Sequence, residues 1–228
     1  MSVTQNFTAA ELPGANCGLC GFRTCGALAE QLEKRPDLIK RCIPRSANRL
    51  ATPTISAPLA RQDADVPAGG AAPTWRDTLG REFDFYLEHF PEDPGPREII
   101  LPHNPMLTRE MEIAVGDLMI GRPLGMSCGC PITHCGVVIE VDRRTGVIVW
   151  CVTGPLGPRE KGFKDIGYYI AEGYEGLITQ TRGEIAIGRR YFFQPRRCML
   201  QWRHSGLVNY INRSGDGLQV RLEGLWIG

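Results

Sequence analysis

The chain has 228 residues, 43% of them hydrophobic and 22% charged, the balance of a folded globular protein and not of a disordered one. Lys and Arg number 26 against 25 Asp and Glu, a formal net charge of +1, so the whole molecule has no electrostatic grip on nucleic acid. The opening MSVTQNFTAAELPG lacks a basic and an apolar leader region, and no apolar run approaches the ~20 residues of a membrane helix. These features predict a cytoplasmic protein without membrane insertion, in which nine reduced cysteines need a purpose other than disulfides.

Four of those cysteines fall in residues 1–50, within LPGANCGLCGFRTCGALAEQLEKRPDLIKRCIP. Two residues separate Cys17 from Cys20, four separate Cys20 from Cys25, and sixteen separate Cys25 from Cys42. A cubane cluster needs four thiolates around one point, and three can come from a tight loop while the fourth returns from a distance. Gly14, Gly18, Gly21 and Gly26 let the backbone pass close to inorganic sulfide and aim N–H groups at it. Cys25 opens a predicted helix, GALAEQLEK, whose positive end would face the anionic group. Pro36 stops that helix, and PDLIKRC brings Cys42 back over a small core of Leu28, Leu32, Leu38 and Ile39. Seven Lys and Arg against four acids make the segment net basic, which favours a negative cluster. Zinc would call for two separated Cys-x-x-Cys pairs, and only one is present.

This segment resembles the small four-cysteine [4Fe-4S] domain of RnfB-type electron-transport subunits and of the corrinoid iron-sulfur protein large subunit. The resemblance covers about residues 10–45 and implies Cys17, Cys20, Cys25 and Cys42 as the ligands of one [4Fe-4S] cluster. Residues 75–228 look like the remainder of neither family, so the resemblance implies a cluster and no particular enzyme.

Residues 51–74, rich in Ala, Pro and Gly and without aromatics, read as a flexible linker. After Thr74, the spacing of Trp75, Leu79, Phe83, Tyr86 and Phe90 predicts an amphipathic helix. Strand signals follow at Ile99–Leu101, Glu112–Ile120, Gly136–Val141, Gly146–Val152, Tyr168–Ile170, Gly176–Thr181, Glu184–Ile187, Tyr191–Phe193, Cys198–Trp202, Gly206–Ile211 and Leu218–Leu225. Asp142–Thr145 reads as the turn of a hairpin. The predicted class is therefore α+β: a small helical iron-sulfur domain over 1–50, the linker over 51–74, and a barrel- or sandwich-like β domain with one N-terminal helix over 75–228.

The β domain holds the second cysteine group. GMSCGCPITHCG places Cys128, Cys130 and Cys135 within eight residues, with His134 beside the last. One reading is a second metal centre, an iron-sulfur cluster sooner than zinc, with Cys198 as its distal ligand; the other is a set of metal-free thiols. Cys151, inside VIVWCV, reads as a small buried residue, and His204 and His103 read as structural. No Ser-His-Asp order, phosphate loop or dinucleotide fingerprint is present, and no catalytic residue is singled out. The whole reads as an iron-sulfur protein that moves single electrons to a redox partner protein, as a shuttle or a subunit of a larger low-potential oxidoreductase sooner than a stand-alone enzyme. A reductive-activation or maturation factor for a metalloenzyme and a cluster-based redox sensor are the alternatives.

Overall fold

Two separate apolar cores organise the chain. The computed structural model describes residues 11–47, 74–125, 127–215 and 217–228. The smaller core gathers Leu12, Leu28, Leu32 and Leu38 with Cys20 and Cys42. The larger lies in the body and is lined by Phe85, Ile100, Met119, Trp150, Tyr169, Phe193 and Leu222 among others. The stretch read as a linker lies, except for Thr74, outside the described residues.

In the smaller unit, helix α1 spans Cys25–Leu32, a 3-10 turn spans Pro36–Arg41, and α2 spans Ile43–Ala47. Thr24 caps α1, its Oγ1 accepting from the Ala27 N–H at 3.1 Å. Pro36 starts the second helical segment, where its missing N–H costs no helical hydrogen bond. Leu28 and Leu32 share one face of α1 and close on Leu38, which brings Cys42 back.

The body is mainly β, with strands β1 Phe85–Leu87, β2 Arg97–Pro102, β3 Leu118–Pro123, β4 His134–Val141, β5 Ile148–Thr153, β6 Lys164–Ile178, β7 Arg190–Pro195, β8 His204–Ser214 and β9 Gly217–Ile227. Two short helices, α3 Leu107–Glu110 and α4 Leu156–Lys161, interrupt them. The sheet order is β1-β7-β8-β9-β6-β2-β5-β4-β3. An additional parallel pairing of β3 with β6 links β6, β2, β5, β4 and β3 into a ring. The β4–β5 hairpin turns at Asp142, whose carboxylate accepts from Arg144 N–H at 2.8 Å and from Thr145 Oγ1 at 2.7 Å. Tyr168–Ile170 and Gly176–Ile178 belong to one long strand, β6. A Cβ at Gly176 would sit 2.2 Å from the Glu88 carbonyl, so only glycine lets the chain beyond β1 pass β6 this closely.

The helix expected from Trp75 to Phe90 does not form. Its place is taken by a turn and strand β1. Asp77 accepts hydrogen bonds from the Leu79 and Arg81 backbone N–H groups (both 2.9 Å), from Arg81 Nε (2.9 Å) and from Arg203 N–H (3.0 Å). Gly80 adopts φ 76° and Arg76 pairs with Glu82 across the turn. The next residues then follow a period of two, with Phe83, Phe85 and Leu87 all buried. Local side-chain bonding and a period-two core face outweigh the helical spacing of the same aromatics. Two strand expectations also fail. Glu184–Ile187 is a loop held by Tyr191, whose hydroxyl accepts from Ala186 N–H and donates to the Glu184 carbonyl. Cys198–Trp202 is a pair of turns, with Cys198 N–H on the Pro195 carbonyl and Gln201 N–H on the Cys198 carbonyl. Within Glu112–Ile120 only the end is strand, because Glu112 (φ 50°) and Gly116 (φ 90°) turn the chain first.

The smaller unit sits against α3. Arg41 pairs with Glu110, and Lys40 with Glu112 at 3.3 Å. The Arg109 guanidinium reaches the Leu19 carbonyl at 3.0 Å, and Met106 packs toward Gly21. The body's edge depends on Asp77. Burial alone would raise its pKa, but the surrounding N–H groups and the Arg81 guanidinium hold it down at about 2. Because the folded value is depressed, the contribution is present above the ordinary value and is lost as pH falls from about 4 toward 2. Asp77→Ala is expected to cost about 1–3 kcal/mol by stranding buried donors, measured by urea unfolding at neutral pH.

Candidate functional site

Cys17, Cys20, Cys25 and Cys42 line a single cavity, together with Pro13, Asn16, Gly18, Thr24 and Pro44. The loop reaches this shape through backbone that few sequences tolerate. Gly14 (φ 69°), Asn16 (φ 45°), Gly18 (φ 72°) and Gly21 (φ 86°) are all left-handed. Asn16 then ties the loop to the helix start, its Oδ1 accepting from the Cys25 N–H at 2.8 Å. Built Cβ atoms at Gly14 and Gly18 would meet nothing within 4 Å. Backbone conformation, not crowding, demands glycine there.

Burial pushes the Cys42 thiol up, the Arg45 N–H opposes it, and repulsion from Cys20, Cys25 and Cys17 adds to the rise. Four thiolates around one cavity repel one another unless a cationic centre lies between them. Among the described residues no three His, Cys, Asp or Glu side chains are placed to hold a metal ion. The four cysteines line one cavity, and the donor set is the all-thiolate set of an iron-sulfur cluster. The residues present fit such a group.

The second cysteine group is arranged differently from the expected metal centre. Cys128 and Cys130 belong to the main core, and Cys198 lies close enough for its charge to act on Cys128. Cys135 does not join them. On β4, His134 and Val138 point into the main core, and the intervening Cys135 points to the other face, where Arg159 acts on it. Burial raises the thiol pKa of Cys128, Cys135 and Cys198 alike. Cys151 is fully buried and pushed up to about 12 by burial, as a small core residue would be. His204 is likewise a core residue. Burial lowers it to about 4, and it packs against Phe193 and Tyr174.

His134, beside Cys135 in the chain, is the residue that meets Cys130. Its Nε2 lies 3.3 Å from Cys130 Sγ, and its Nδ1 lies 2.7 Å from the Tyr169 hydroxyl and 3.4 Å from Glu98. The Glu98 carboxylate also accepts from Trp150 Nε1 at 2.8 Å and from the Tyr169 hydroxyl at 3.1 Å. Burial would lower the His134 pKa, but Glu98 and Cys130 raise it to about 10, which favours the imidazolium form between those two partners. Sequence reasoning missed Glu98, Trp150 and Tyr169. The available signal was an ionisable residue at the head of the apolar run EIIL, where a carboxylate needs partners.

A family model described as "Putative Fe-S cluster" matches residues 12–44, which supports an iron-sulfur cofactor in the smaller unit. An uncharacterized protein of Methanocaldococcus jannaschii is 29% identical over 225 residues, covering 94% of this chain and 89% of the relative. That similarity runs through both units. No solved structure matches the chain. No helix among the described residues is long and apolar enough to cross a membrane.

The Glu98–His134 pair sets a pH dependence. The folded pKa of His134 is raised, so the stabilisation is complete below about 6.5 and is lost as pH rises through about 10. Denaturant unfolding from pH 6 to 10 should show this decline. Glu98→Gln should reduce the decline, Cys130 remaining as the other group that raises the pKa, and cost about 3–5 kcal/mol at neutral pH, because it leaves the imidazolium buried without its carboxylate.

Proposed function

We propose that Cys17, Cys20, Cys25 and Cys42 hold one [4Fe-4S] cluster and that the protein passes single electrons between redox partners in a reducing, cytoplasmic setting. The observation that carries this reading is the convergence of all four cysteines, one of them from beyond Pro36, on a single cavity inside the matched segment. When bound, the cluster would supply one-electron exchange.

The chain's own contribution is binding, charge and access. The left-handed loop and the capped helix α1 hold Cys17, Cys20 and Cys25 in position, and the turn Pro36–Arg41 presents Cys42. Basic residues of the smaller unit offset negative charge at the site. Cys17 is exposed, and so are Gly18 and Leu19, so the site lies at the surface within reach of a docked partner. The smaller unit is net basic in sequence, and a net basic unit carrying an exposed redox site favours an acidic partner protein. The larger body, with its own core, is the part that recognises the client or the larger oxidoreductase.

The test is anaerobic reconstitution of the full chain. We expect about four irons and four sulfides per chain, and an EPR signal on reduction. Cys17→Ser and Cys42→Ser should each lower iron sharply, whereas Cys135→Ser should leave it at the wild-type level. Stoichiometric zinc without sulfide is the result that would end this reading.

A further inference from the structure

We propose that Arg109, supplied by the β body, is the counter-cation of the iron-sulfur site and ties the docking of the cysteine unit to the charge carried there. The proposal rests on the cluster reading above.

Arg109 is 5% exposed, and a charge taken out of water at that depth is costly unless it is compensated. Its partners do not compensate it. One terminal nitrogen donates to the Arg143 carbonyl at 3.0 Å, the other to the Leu19 carbonyl at 3.0 Å and toward Met106 Sδ. Nε is buried and makes no hydrogen bond among the described residues. No carboxylate among the described residues lies within ion-pair distance of it. The two nearest along the chain are engaged elsewhere, Glu110 with Arg41 and Glu112 with Lys40.

Of the opposite charges that act on Arg109, Cys20 of the cysteine loop comes before Glu110, whose effect the Arg41 guanidinium opposes. Leu19 lies between Cys17 and Cys20, and the charge of Cys20 acts on the guanidinium. Burial lowers the Arg109 pKa, and Cys20 works against that loss. Four thiolates around an iron-sulfur core are net negative, and more so by one unit after reduction. A fixed cation beside them favours the reduced state. By linkage, reduction must then strengthen the contact between loop and α3 by the same factor, and removal of the cluster must weaken it.

The experiment uses the full chain reconstituted anaerobically, with iron and sulfide counted before an EPR-monitored redox titration. Arg109→Gln should disfavour the reduced state about tenfold, which is a fall in midpoint potential of about 59 mV for a one-electron couple. Arg109→Lys should recover the larger part of the shift. Arg182→Gln, an exposed partner of Glu82, should leave the midpoint unchanged. An unchanged midpoint in Arg109→Gln at full iron and sulfide content overturns the proposal while leaving the cluster reading intact. Zinc without sulfide in the wild type overturns both. Should the variants not fold, hydrogen exchange of the wild type decides. Amides of residues 106–112 should exchange slowest in the reduced protein and fastest without the cluster; equal rates in all states overturn the proposal.

Discussion

One buried carboxylate joins four strands of the body. Glu98 stands on β2, and its oxygens collect the Trp150 indole from β5, the Tyr169 hydroxyl from β6 and the His134 imidazolium from β4. These four strands belong to the five-stranded ring of pairings that the parallel β3–β6 contact completes. A fully buried carboxylate is tolerated only when its lone pairs are satisfied and its charge is matched, and here both conditions hold. The requirement constrains the packing around it. A Cβ at Gly136 would lie 2.6 Å from the Trp150 ring, so the indole reaches Glu98 only because β4 carries no side chain there.

The cysteine unit follows a different logic. Its own core is small, with a few leucines and two of the four cysteines buried together. A core of that size stabilises a fold weakly, and small domains commonly take up a metal centre to make good the deficit. The family match and the shared cavity agree with that expectation. The contacts of Arg41, Lys40 and Arg109 with α3 and the cysteine loop then give the unit a second source of order from the body.

The two cysteine groups, similar in composition, separate on physical grounds. The first lies on a loop of left-handed residues beside an exposed cavity, where sulfurs can face a shared guest. The second is folded into a packed core, where Cys130 bonds to an imidazolium and Cys135 faces away. Density of cysteines in sequence is therefore a weak guide without the backbone conformation that aims them.

The sequence by itself determined the cysteine unit and most strands. The Cys spacing, the glycines and Pro36 act over a few residues, so the loop, α1 and the return to Cys42 were legible locally. So was the β4–β5 hairpin, because Asp142 makes its own turn. Only the tertiary structure decided the rest. The aromatics after Thr74 fit a helix by spacing, yet Asp77 bonds to Arg203, more than a hundred residues away, and holds them as turn and strand. Glu98 likewise had no visible partners, because Trp150, Tyr169 and His134 become its neighbours only when the strands align. Arg109 gains its buried setting only where α3 meets the Leu19 carbonyl. Long-range pairing sets each of these environments, and neither propensity nor spacing along the chain encodes which distant groups will share a buried site.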